Sequence, residues 1–146
     1  MATTTASITL SSSDLLTDNL SLSATMNLYQ NGTTATGLEQ MNYHRLVIPT
    51  GTQFDLIAES AALSEDASYV YIINKNTDVT DYVKVSINAE EIGRLYAGDW
   101  LFMPWDCDLS AAANDSTIEL EAFTHEHIIE YALFHNGETL VTAADS

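Results

Sequence analysis

Apolar residues in this chain recur at every second position in short runs, and none recurs at helical spacing for a useful length. Leu20, Leu22, Ala24, Met26 and Leu28 alternate with Ser21, Ser23, Thr25 and Asn27, the pattern of a half-buried strand. Residues 46–48 and 53–57 flank Pro49-Thr50-Gly51, a turn with Pro and Gly suitably placed. Residues 69–74, dense in aromatic and β-branched side chains, read as a strand buried on both faces. A polar loop, residues 75–80, leads to a strand at 82–87. Strands at 92–96 and 100–103 are separated by Ala97-Gly98-Asp99, a bend or hairpin, and Glu90-Glu91 reads as a solvated turn. Residues 117–123 set Ile118, Leu120 and Ala122 on one face against Glu119 and Glu121 on the other. Residues 128–134 are expected to pair, through His135-Asn136-Gly137-Glu138, with residues 139–141. The one helical turn expected in this part of the chain is at 60–66. About nine or ten strands, with turn signals roughly every ten residues, make an all-β chain, an antiparallel β-sandwich of jelly-roll type.

The first 37 residues differ from the rest. They hold 15 Ser or Thr and only two charges, Asp14 and Asp18. Such residues resist helix formation and suit arms and edge strands. Residues 7–10 allow one more strand, and Ser13-Asp14-Leu15-Leu16 one capped helical turn. Residues 1–19 are read as an extended N-terminal arm, and residues 20–146 as one domain.

Charge excludes several classes of function. Against 21 acidic residues stand Arg45, Lys75, Lys84 and Arg94, a net of −17. Phosphate backbones and anionic membranes repel such a surface, so neither direct nucleic-acid binding nor membrane attachment is expected. The same charge keeps subunits soluble and mutually repelled, and complements a basic patch on a partner; a saline habitat explains it equally well. The single cysteine, Cys107, allows no internal disulfide. The N-terminus has neither the basic start nor the apolar run of a signal peptide, and no stretch reaches transmembrane length.

Three segments carry a resemblance. They are Tyr69-Val70-Tyr71-Ile72-Ile73-Asn74 with Tyr82-Val83-Lys84-Val85, then residues 92–105 (IGRLYAGDWLFMPW), then Ile129-Glu130-Tyr131-Ala132-Leu133-Phe134. Their order resembles that of small β-sandwich virion proteins of tailed bacteriophages, of the marine and cyanobacterial type. The resemblance implies a non-enzymatic structural subunit, on the capsid or in the tail, with no catalytic residues and no cofactor. The expected role is a capsid decoration or cement subunit, bound to the major capsid protein or other virion proteins and located in the virion after assembly in the host cytoplasm. A homo-oligomer is expected, a trimer by analogy with threefold capsid positions. Contacts are expected from Ile8, Leu10, Leu15 and Leu16 in the arm and from Trp105 beyond Pro104. The alternatives are a tail, connector or fibre-attachment component and, further off, a carbohydrate- or metal-binding jelly roll.

Enzyme-like features are few. His125-Glu126-His127 could put two imidazoles on one strand face, with Glu130 as a third ligand. Cupins also use His-x-His, but ahead of their glycine-and-proline motif, whereas here it follows Gly98 and Pro104. Surface or subunit-contact histidines are the simpler expectation, so no metal is assigned. Asp106 and Asp108 flank Cys107 and oppose its ionisation. Asp106, Asp108 and Asp115 lack the Asp-x-Asp-x-Asp-Gly calcium loop. Nucleophile elbows and phosphate loops are absent. Trp100, Phe102 and Trp105 suit core packing first, a subunit interface second and a sugar platform third.

Overall fold

The computed structural model describes residues 3–15, 17–29, 38, 40–57, 67–105 and 118–135. Within them lie ten strands and no helix: β1 (Thr4–Ser12), β2 (Leu20–Leu28), β3 (Gln40–Ile48), β4 (Gln53–Ile57), β5 (Ala67–Asn74), β6 (Tyr82–Ile87), β7 (Glu90–Tyr96), β8 (Trp100–Pro104), β9 (Ile118–Ala122) and β10 (His127–His135). They form three antiparallel sheets, ordered β1-β2, β3-β10-β5-β8 and β4-β9-β6-β7.

The two four-stranded sheets pack face to face on one core. Ile48, Val70, Ile72, Ile129 and Leu133 come from one sheet; Leu56, Val83, Val85, Leu95, Ile118, Leu120 and Ala122 come from the other. The alternation in β9 works as expected, with Ile118, Leu120 and Ala122 fully buried and Glu119 and Glu121 turned outward. Burying one such aliphatic side chain contributes about 1.5–3 kcal/mol.

Corners join the two sheets. Ala97-Gly98-Asp99 is a bend rather than a hairpin, because β7 and β8 belong to different sheets. Gly98 takes φ +86°, which a side chain would strain, and its N–H donates to Asn74 O at 2.9 Å. The turn expected at Glu90-Glu91 is displaced. Both residues begin β7, and the turn is Asn88-Ala89 with φ of 51° and 65°. Positive φ at both central residues is the twist a two-residue hairpin needs, and an Ala in the usual Gly position hid it from the sequence.

The N-terminal region also departs from expectation. Residues 4–12 are not an extended arm but pair along their whole length with β2, from Thr4↔Leu28 to Ser12↔Leu20. β2, read as the first strand of the domain, joins only β1 among the described residues, so the two form a hairpin running from Thr4 to Leu28. At its tip the Ser12 hydroxyl accepts from the N–H of Leu15 at 3.1 Å, closing a bend where the sequence also allowed one helical turn. The helical turn at 60–66 and the hairpin closing through 136–141 lie outside the described residues, as do Leu16, Asp106, Cys107, Asp108 and Asp115.

Candidate functional site

The two outward sheet faces differ in chemistry. On β4-β9-β6-β7 the outward side is mixed, with paired charges beside an aromatic group in which Tyr82 meets Tyr96 and the exposed Phe123. Lys84 pairs with Glu121 at 2.6 Å, Arg94 pairs with Glu91 at 2.9 Å, and the Arg94 guanidinium lies 4.6 Å from the Tyr82 ring centre. On β3-β10-β5-β8 the outward side is mainly apolar, with Arg45 and Glu130 paired on it. Pairing register lines up Met41, Phe134, Tyr69 and Pro104 in one row, and Tyr43, Ala132, Tyr71 and Phe102 in the next. Tyr69 and Phe102 stack at 5.6 Å, and Phe102 meets Phe134 edge-on at 6.4 Å. Met41, Tyr43 and Trp100 remain 54%, 52% and 51% exposed.

The hairpin has the same two-sided character. Register puts Ala6 opposite Met26, Ile8 opposite Ala24 and Leu10 opposite Leu22, all on one side. Its other side is hydroxyl and amide, with Thr5 donating to Asn27 at 3.2 Å and Ser7 bonded to Thr25 at 3.0 Å. A cleft of about 520 Å³ lies between the apolar hairpin side and the aromatic sheet face, lined by Ala6, Ser7, Ile8, Ala24, Met26, Tyr71, Trp100 and Phe102. A more open hollow at the hairpin tip, lined mainly by Ser11, Ser12, Ser13 and Asn19, offers no buried charge.

Of the expected contact residues, Ile8, Leu10 and Leu15 are exposed on the hairpin, while Trp105 lies inside the core at 6% exposure. Within this subunit Trp105 packs in the core, on the same side as Leu101 and Met103 in the every-second-residue alternation of β8.

The histidine motif forms a structural clasp. His125 lies in the bend before β10, and His127 begins that strand, fully buried. Both converge on Asp81 Oδ2, His125 Nδ1 at 3.0 Å and His127 Nε2 at 3.2 Å, the latter poorly aligned for a hydrogen bond. The same oxygen accepts from the His125 backbone N–H at 3.0 Å, and Oδ1 accepts from the Tyr82 N–H at 2.9 Å. Burial raises the Asp81 carboxyl, but the Tyr82 N–H and the two imidazoles outweigh it and hold the group below its ordinary value.

Asn74 fixes the other end of His127. Its amide donates to Leu95 O at 2.9 Å and lies 3.1 Å from His127 Nδ1, while its carbonyl accepts from the Asn76 N–H at 3.0 Å. Glu130 takes no part. It lies on the opposite face of β10, accepting from the Tyr43 hydroxyl and 3.7 Å from Arg45, and this contact raises the Tyr43 phenol above its ordinary pKa. Among the described residues no group of three or more His, Cys, Asp or Glu is arranged to hold a metal ion. Nor does any helix there suit a membrane crossing.

Asp81 and Asn74 carried no motif, and only the fold brings them to the histidines, across 44 and 53 residues. Compared with known protein families, with curated proteins and with solved structures, the chain matches none.

Proposed function

We propose that this chain is a non-enzymatic structural subunit of a virus particle, a decoration or cement protein that adheres to a shell and bridges neighbouring subunits. The observation that carries the reading is the pair of apolar surfaces turned outward, the hairpin side with Ile8 and Met26 and the sheet face with Tyr43 and Trp100. Contiguous exposed apolar area of this kind marks protein contact, and Trp and Tyr are its usual anchors.

The strand order supports a jelly-roll sandwich for β3 to β10. The nested pairs β3·β10, β4·β9, β5·β8 and β6·β7 are what one long hairpin gives when rolled into two sheets. Viral shell proteins use such folds, as do lectins and cupins, so the fold supports the class without choosing the role. The strands β4, β9, β6 and β7 carry Asp55, Glu90, Glu91, Glu119 and Glu121 against Lys84 and Arg94, an acidic excess that suits a basic patch on a shell protein.

Electron microscopy of the particle tests the proposal by locating this chain. Density at symmetric sites on the outer shell is the expected result. Density confined to the tail would keep the structural class and replace decoration with a connector or fibre-attachment role. Absence from every particle would overturn both.

A further inference from the structure

We infer that the β1–β2 hairpin is an exchanged arm, whose apolar side closes onto the aromatic outer face of β3-β10-β5-β8 in a second copy of this chain. The inference deepens the adhesive reading above, and rests on it, by naming the hairpin's partner.

Within one chain the two surfaces stand opposite each other without closing. Ile8 and Met26 on the hairpin keep 44% and 49% exposure, and Trp100 across the cleft keeps 51%. An isolated two-stranded ribbon is marginal in water, so this hairpin needs a cover on its apolar side. The aromatic face needs one equally, since both faces of that sheet are mainly apolar.

Charge selects the hairpin as the element another copy can accept. Two of the 21 acidic residues and none of the four basic ones lie in residues 1–37. Two acidic bodies repel each other, whereas a hairpin whose only charges are Asp14 and Asp18 approaches a second body with much less of that penalty. On the receiving face, Arg45 and Glu130 largely cancel.

Area points to reciprocal exchange. Strands of nine residues make a ribbon about 30 Å long and about 10 Å wide, with roughly 300 Å² on one side. One hairpin on one sheet covers about 600 Å² in all, below the range of stable interfaces. Two copies exchanging hairpins cover about 1,200 Å², the lower end of that range, with closed twofold symmetry. Residues 29–39 join hairpin to body, and eleven residues span at most about 36 Å, enough to reach a neighbour's face.

The test uses full-length chains carrying Cys107→Ser and one new cysteine each, Ala24→Cys on the hairpin or Trp100→Cys on the sheet face. Thermal unfolding is first matched to the parent chain, with Phe102→Cys replacing Trp100→Cys if the latter unfolds early. The two variants, one bearing a mass tag, are mixed under mild oxidation. Exchange predicts a mixed covalent dimer at least tenfold above either self-dimer, and a dimer mass for the unmodified protein by light scattering.

Self-linked Ala24→Cys as the main product would mean that hairpins stack on each other, which overturns the inference. No mixed dimer, with internal closure of a chain carrying both cysteines, would mean that the hairpin covers its own sheet. That also overturns it, as does the absence of any link. Because the purified protein answers, exchange can succeed while the particle location fails, and the reverse.

Discussion

Asn74 holds more of this molecule together than any catalytic reading of its neighbours would suggest. Its side chain joins the end of β7 to His127, while its backbone N–H and carbonyl bond Asp99 O at 3.0 Å and Gly98 N at 2.9 Å. Asn74→Ala leaves the Leu95 carbonyl and His127 Nδ1 unpaired in a dry site. Each such loss costs about 1–3 kcal/mol, so urea unfolding should show a loss of about 2–4 kcal/mol. Ala89 offers the opposite case. It sits at φ 65° with its N–H donating to Glu119 at 2.9 Å, a bond that glycine keeps. Ala89→Gly removes the steric cost of that conformation and should raise stability by about 1 kcal/mol, or about 2–4 °C in Tm. Asp81 ties stability to pH. Its folded pKa lies below the ordinary 3.8, so the unfolded chain takes up the proton first as pH falls. Its contribution is complete above the unfolded value and lost as pH drops through the folded one. Asp81→Asn should therefore flatten the fall in Tm below pH 4, and an unchanged acid limb would remove Asp81 from the clasp.

At the scale of elements, the core strands and the hairpin should respond to substitution in opposite ways. Leu120 is fully buried, and Leu120→Ala removes packing worth about 2–5 kcal/mol. Ile8→Ser with Met26→Ser alters only half-exposed positions on a separate sheet. In dilute protein at low salt, where repulsion keeps the copies apart, that pair should change the unfolding free energy by no more than about 0.5 kcal/mol while reducing the binding of an apolar dye such as ANS. A large loss of stability would mean that the hairpin is part of the core. The same contrast explains what the sequence could reveal. Period two in β9 named its buried residues, because one face met a core made by the same chain. Period two in β2 named the apolar side equally well, but a strand pattern does not say what covers that side. The Asn88-Ala89 turn was hidden because its second residue lacks the glycine signature. His125 and His127 were visible as a pair, yet their partners Asp81 and Asn74 come from loop and strand positions that no local pattern links to them.

Whole-molecule behaviour turns on the conflict between apolar surface and net charge. The chain carries −17, and three of its four basic residues, Arg45, Lys84 and Arg94, already face carboxylates. Free subunits therefore repel at long range while their hairpin sides and aromatic faces attract on contact. Salt separates these effects. The screening length falls from about 30 Å at 0.01 M to about 3 Å at 1 M, so body-to-body repulsion fades as salt rises. Apolar contact is not weakened by the same change, since it comes from the removal of surface from water. Sedimentation velocity across a sodium chloride series should show self-association strengthening by at least about tenfold from 0.02 M to 0.5 M, a gain of about 1.4 kcal/mol. Ile8→Ser with Met26→Ser should abolish that gain, because screening then uncovers no apolar contact to form. Association that weakens with salt would instead mean that ion pairs hold the copies together, and the acidic face of β4-β9-β6-β7 would have to be the contact.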